Sequence, residues 1–311
     1  MKILICGIGS IALRHYKNLI TLGYKDIIFF KSTSSNFNKI DTKIKKEKIY
    51  YNLDLALKEK PKVAFICNVT SLHVDVAIKC AKNKCHLFIE KPISNNLKKI
   101  SKLKSIIKKN KLYLFVGYMM RFHPHIEKIK RLIKKENKIF YASTIWGEYL
   151  PNWHPNENYK KSYAANKKLG GGVSLTLSHE IDLMIYLFGK IKKIFNLKKF
   201  KSNLKLKNDL DVASSYLIRF DNELDCNIHI NYLCNPPVRM LKIFGEKIQI
   251  NFDYYKSILE INKNGKSKRY YLHKFNRNDL FIKELKYFLK KLKNFKNDKI
   301  NDKFYLLKFI T

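Results

Sequence analysis

What this sequence has little of narrows it first. In 311 residues there are only 11 glycines, 7 prolines and 2 tryptophans. No internal repeat or low-complexity linker breaks the chain, which argues against collagen-like, solenoid and disordered architectures. Acidic residues are few: 25 Asp+Glu stand against 63 Lys+Arg, a formal net charge of +38. No apolar run reaches membrane-spanning length, and Met1 leads directly into a strand pattern, leaving no room for a signal peptide. The six cysteines (Cys6, Cys67, Cys80, Cys85, Cys226, Cys234) form no Cys-x-x-Cys pair and have no accompanying metal-ligand spacing. Cys6 and Cys67 lie in apolar strand patterns and read as small buried hydrophobes. The expectation is a cytoplasmic, reduced protein with no metal and no membrane contact.

Hydrophobic residues make up 46% of the chain, which is ordinary for a globular protein and enough for two domains with a sizeable core. The positive charge has two readings: a basic face for nucleic acid or another polyanion, or a composition rich in lysine throughout. Lys98-Lys99, Lys108-Lys109, Lys134-Lys135 and Lys290-Lys291 fall at polar positions of helical patterns, not in one block interleaved with aromatics. That distribution favours solvated faces over a nucleic-acid groove, and at most the charge favours anionic ligands.

Residues 2–6 form a short apolar run ended by glycine, the pattern of a buried parallel strand. Helices over 10–22, 53–60, 72–83 and 97–109 then alternate with strands at 26–30, 63–67, 86–90 and 113–117. Such alternation predicts a doubly wound parallel sheet over residues 1–120. From 121 to 311 the pattern changes. A helix at 124–135, a strand at 140–148, a helix at 173–188, several strands up to 272 and helices at 279–295 and 302–310 predict an α/β domain on a mostly antiparallel open sheet.

Gly7-Ile8-Gly9-Ser10-Ile11-Ala12 follows the first strand and opens a helix. There Gly7 permits a tight turn, Gly9 lets backbone approach a pyrophosphate, and Ala12 keeps helix and sheet close. The second strand ends in Lys31-Ser32-Thr33, with no Asp or Glu to bind a ribose 2′-hydroxyl. Lys31 and two hydroxyls would instead receive a 2′-phosphate, so NADP is preferred over NAD. On the predicted helix at 173–188, Thr176, His179 and Asp182 form a polar stripe opposite an apolar face, either solvated or lining a cleft.

These segments, with Glu90-Lys91-Pro92, Arg121-Phe122-His123-Pro124 and Gly170-Gly171-Gly172 leading to His179-Glu180-Ile181-Asp182, together resemble the Gfo/Idh/MocA family of NAD(P)-dependent sugar and polyol oxidoreductases. The resemblance implies a hydride exchanged between nicotinamide and a secondary hydroxyl or ketone of a sugar, polyol or nucleotide-sugar, in surface carbohydrate biosynthesis. It makes Lys91 and His179 the catalytic pair, with Pro92 commonly cis, and adds Asn68, Thr70, His73 and Glu90 to the cofactor side, although for His73 the residues themselves favour a structural role in the first turn of a helix. Arg121, Trp153, His154, Thr176 and Asp182 become substrate-binding candidates, the structural alternatives being a cap of the domain junction for Arg121, a packed interface loop at Trp153-His154-Pro155 and a purely structural part for Asp182. It further implies a site in the cleft between the domains and a homodimer or homotetramer formed through the C-terminal sheets. Where the family carries Asp-x-Gly-x-His-x-x-Asp, this chain keeps only His179-x-x-Asp182, and Thr176 or Leu175 stands in place of the first aspartate. That departure keeps open a rival reading, a non-catalytic dinucleotide-binding regulator or a nucleic-acid-binding module.

Overall fold

A computed structural model describes residues 1–32, 44, 47–155, 157–207, 209–295 and 303–311. They divide into two compact units, Met1–Gly117 with Phe281–Phe309, and Tyr118–Leu280.

The first unit is built on six parallel strands, β1 (Ile3–Cys6), β2 (Ile27–Phe30), β3 (Lys48–Tyr50), β4 (Val63–Ile66), β5 (His86–Glu90) and β6 (Leu114–Gly117), in the order β3-β2-β1-β4-β5-β6. Strands β1, β4 and β6 are buried along their whole length, as expected of strands covered by helices on both faces. The covering helices include α1 (Ser10–Thr21), α2 (Leu53–Lys58), α3 (His73–Lys82) and α4 (Ile100–Lys109). Asn52 caps α2, accepting from the backbone N–H groups of Asp54 and Leu55.

The second unit holds α5 (Pro124–Ile133), α6 (Val173–Thr176) and α7 (His179–Phe188), with β7 (Ile139–Gly147), β8 (Ile191–Lys199), β9 (Ala213–Phe220), β10 (Asp225–Asn231), β11 (Val238–Gly245), β12 (Ile248–Asp253), β13 (Ile258–Lys263) and β14 (Lys266–Tyr271). Their order is β14-β13-β12-β11-β7-β10-β9-β8. Only β7 and β10 run parallel; every other neighbouring pair is antiparallel. The inward residues of β9 and β10 (Tyr216, Ile218, Phe220, Cys226, Ile228, Ile230) are buried, with α6 and α7 against that side of the sheet. The opposite face carries exposed Leu217, and neighbouring β8 exposes Phe195 and Leu197.

Two features differ from the pattern read in the sequence. The helix expected over 173–188 is broken at Leu177–Ser178 into α6 and α7. The last long helix, α8 (Asn278–Lys293), groups from Phe281 onward with the parallel sheet, not with the preceding strands. Phe288 accounts for this. It is fully buried, stacked on Tyr113 at 5.5 Å and within 5.3–5.8 Å of the rings of Phe65, Phe88 and Phe115. A short helix, α9 (Leu307–Ile310), ends the chain.

Phe288→Ala should therefore destabilise the parallel-sheet unit by about 3–5 kcal/mol, as for large aromatic truncations in cores. Chemical denaturation followed by tyrosine and tryptophan fluorescence measures this; a loss below about 1 kcal/mol would mean that α8 is not part of that core.

Candidate active site

In the first unit the strand order reverses between β1 and β4, and ligands of doubly wound sheets bind at the carboxyl ends of the strands at such a point. The turn after β1 lies there. Gly7 has φ +118°, and a Cβ on it would stand 2.8 Å from the Cys67 carbonyl oxygen, so only glycine fits. Ile8 and Ala12 are buried, Ile11 is half-buried and Ser10 is exposed. Gly9 caps α1 with extended backbone and no side-chain hydrogen bond, leaving the first N–H groups of the helix to another acceptor. Beside this turn, both polar atoms of the Asn68 side-chain amide are buried without a protein partner among the described residues. Such atoms call for a ligand or water, and a dinucleotide at the switch point fits them.

Thr70 is buried in the turn that follows. The His73 ring is also buried, its nitrogens 2.8 Å from the Asn68 carbonyl oxygen and 2.9 Å from that of Pro92. Burial pushes its pKa down. Both nitrogens face backbone carbonyl oxygens, to only one of which a neutral ring can donate, an arrangement that fits a structural part for the ring. Lys31 and Ser32 follow β2 and are half-buried, with the Lys31 ammonium 5.9 Å from the centre of the Tyr51 ring; Thr33 lies outside the described residues. At the end of β5 the Lys91–Pro92 bond is cis. Glu90 is buried; it accepts a 2.6 Å hydrogen bond from His15 Nε2 and a 3.2 Å bond from the Lys91 backbone N–H.

In the second unit the expected polar stripe does not exist as one helix face, and none of its members is solvated. Thr176, His179 and Asp182 are 3%, 4% and 3% exposed. Thr176 ends α6; its hydroxyl donates to the Gly172 carbonyl at 2.8 Å and bonds the Tyr232 hydroxyl. A threonine bonding back into its own turn distorts a helix. His179 begins α7 and packs edge-on against Tyr118 (5.6 Å) and tilted against Trp146 (5.9 Å). Asp182 is gripped in bidentate fashion by Arg121, with Nε–Oδ2 at 2.8 Å. Burial pushes the Asp182 carboxyl up while the Arg121 guanidinium opposes it. Arg121 also lies 5.2 Å from the Tyr186 ring, whose face carries the Lys130 ammonium at 3.1 Å. Burial, with Lys134 and Arg121 nearby, lowers Lys130 to about 8. Trp153 meets Tyr232 edge-on at 5.4 Å, and its indole N–H is buried without a protein partner among the described residues, as is the Ser178 hydroxyl. His154 is exposed.

The sequence reading missed a second buried charge pair. Arg239 donates to Glu180 (Nε–Oε1 2.8 Å), the other Glu180 oxygen accepts from Thr144 at 2.7 Å, and the guanidinium lies 4.0 Å over Trp146. Its one sequence signal is an arginine at an inward position of an alternating strand. Among the described residues no group of three His, Cys, Asp or Glu side chains could hold a metal ion, and no helix is long and apolar enough to cross a membrane.

Comparison with known proteins gives a consistent result. Residues 1–118 match the family model described as an oxidoreductase family with an NAD-binding Rossmann fold, and residues 127–251 match the GFO/IDH/MocA C-terminal domain. Myo-inositol 2-dehydrogenase of Thermotoga maritima is 25% identical over an alignment covering 94% of this chain and 89% of that protein. The scyllo-inositol 2-dehydrogenase (NAD(+)) of Bacillus subtilis is 27% identical over 70% of this chain and 63% of its own length. Among solved structures, a levoglucosan dehydrogenase in complex with NADH and levoglucosan superposes with a TM-score of 0.85 at 15% identity, covering 99% of this chain and 94% of that one.

Arg239→Met should cost about 3–5 kcal/mol, because it leaves the Glu180 carboxylate buried and uncompensated. Adding Glu180→Met should recover part of that loss. Urea denaturation of both variants decides it: a single variant as stable as the parent would mean that the pair is solvated.

Proposed function

The chain belongs to the Gfo/Idh/MocA oxidoreductases, and from that premise we propose that it is a cytoplasmic NAD(P)-dependent dehydrogenase acting on a secondary hydroxyl of a sugar, polyol or nucleotide-sugar. The observation that carries the cofactor half is the unsatisfied Asn68 amide beside the Gly7 turn and the uncapped N-terminus of α1. Gly7 to Ala12 would hold the pyrophosphate, with Asn68 and Thr70 alongside, and Lys31 with Ser32 would receive a 2′-phosphate. When bound, the nicotinamide accepts or returns a hydride. The Lys91 ammonium favours the alkoxide form of the substrate hydroxyl, and the His179 imidazole takes its proton. The reverse reaction reduces a ketone. The Trp153 indole N–H and the Ser178 hydroxyl, buried without partners, would donate to or accept from substrate hydroxyls. Arg121 and Asp182 satisfy one another and would set the wall beside His179, where Thr176 stands in for the missing aspartate. The names of the relatives support a polyol or sugar, and the charge of +38 favours a phosphorylated one; a place in surface carbohydrate biosynthesis is part of the same proposal. Exposed Phe195, Leu197 and Leu217 support a homodimer or homotetramer.

Cofactor choice is tested by measuring NADPH and NADH affinities at fixed salt. NADPH should bind more tightly, and Lys31→Ala should erase the difference, worth about 1.5–3 kcal/mol for a hydrogen bond to a charged group. Tighter binding of NADH by the parent protein would reverse the assignment.

The catalytic pair is tested on substrates found by screening polyols and UDP-linked sugars. Lys91→Met and His179→Ala should each lower turnover by roughly 10²–10⁴. The double variant should be little worse than either, since both act on one proton transfer. Near-normal turnover in His179→Ala would leave this histidine a packing residue only.

A further inference from the structure

We propose that two buried histidines, His15 and His73, brace the segment carrying Lys91, and that the His15–Glu90 pair is the member that fixes Lys91 in its working position. This rests on the reading of Lys91 given above. His15 lies on α1, the helix that the glycine turn opens. It is 0% exposed and boxed by the rings of Phe65 (5.6 Å), Phe88 (5.0 Å) and Phe281 (6.0 Å). Its Nε2 donates to Glu90 at 2.6 Å, while its Nδ1 is buried with no partner among the described residues. Among the described residues the Nε2 bond is thus the ring's hydrogen bond, and it ends on the residue immediately before Lys91.

Room for the carboxylate is built into the neighbouring strand. A Cβ on Gly117 would stand 3.1 Å from Glu90 Oε1 and 3.2 Å from the Phe88 ring. The other Glu90 oxygen accepts the Lys91 backbone N–H. On the far side of Lys91, the Pro92 carbonyl faces His73, whose second nitrogen faces the Asn68 carbonyl. Lys91 is thus flanked by two residues that are each tied down. One tie runs to the fingerprint helix and the other to the segment after β4.

Stability does not ask for this arrangement. An aromatic box is filled more cheaply by an apolar side chain than by an imidazole and a carboxylate, because replacing a buried polar pair with hydrophobic residues is often neutral or stabilising. What the pair contributes is placement. Misplacing a reacting group by about 1 Å can cost on the order of 10²-fold in rate, and this brace holds the lysine backbone from both neighbours. His15 and His73 are accordingly positioning residues.

The test uses the full-length protein and needs no known substrate. The reactivity of Lys91 toward acetic anhydride is read by peptide mass spectrometry against the exposed Lys102, and NADPH affinity is measured in parallel. His15→Met keeps bulk but removes the donor; His15→Gln keeps an N–H near the Nε2 position. His15→Met should change relative Lys91 labelling by about fivefold or more while NADPH affinity stays within about threefold, since positioning and pyrophosphate binding are separate. His15→Gln should restore the parent labelling. Unchanged labelling in His15→Met, or His15→Gln as perturbed as His15→Met, overturns the brace. Should His15→Met fail to fold, Glu90→Gln gives the same readout at nearly constant shape. Lys91→Met, assayed for turnover once a substrate is found, separates the two ideas: full turnover there refutes the catalytic reading of Lys91, whereas a dead Lys91→Met beside unchanged labelling in His15→Met refutes only the brace.

Discussion

The approach of the Gly7 turn to the backbone at Cys67 and Asn68 is the constraint on which the first unit depends. The gap is too small for any Cβ, and φ at Gly7 lies where only glycine is at ease. This one contact closes the point where the strand order reverses and brings the Asn68 amide beside the turn. It also fixes the start of α1, and so the place of His15, about one and a half helical turns into that helix. The burial of Glu90 against His15 then depends on a turn far from it in the chain.

The second unit meets a different physical problem: it buries carboxylates near a histidine. Asp182 and Glu180, on either side of Ile181 in α7, each receive an arginine, and each arginine also lies against aromatic rings. A lone buried carboxylate would be neutralised or expelled. Paired and hydrogen-bonded, each can stay, and the rings of Tyr118 and Trp146 are held against His179 by the same arginines.

Much of this was legible in the residues. The strands at Ile3–Cys6 and His86–Glu90 are short apolar runs bounded by turns, and the structure places them where periodicity does. By contrast, β3, β8 and β14 were not individually legible. Strand β8 is exposed along most of its length and β14 nearly all of its length, so neither carries an apolar alternation, and β3 has three residues. The stripe Thr176, His179, Asp182 misled for another reason. Polar spacing on a helix cannot distinguish a face turned to water from side chains whose partners come from Gly172, Tyr232 and Arg121. Those partners are distant in sequence, or hidden in a turn that breaks the helix. The Glu180–Arg239 pair, separated by 59 residues, had no local signature beyond an arginine in an apolar strand.

The overall charge gains meaning when set against where the acids are. Of 25 acidic residues among 311, several form exposed pairs with lysines, such as Asp54 with Lys79 and Asp75 with Lys99, and exposed pairs of this kind contribute little to stability. Yet Glu90, Glu180, Asp182 and Glu284 are buried, the costliest location for a carboxylate. A composition that dilutes acids across its surface has kept four of them there, and three, Glu90, Glu180 and Asp182, have dedicated partners in His15, Arg239 and Arg121. Two of the three adjoin the same histidine-bearing helix and the third precedes Lys91. Surface lysines are spread over helix faces. Those three buried acids instead sit with fixed partners, and they mark where this fold has been held to a fixed geometry.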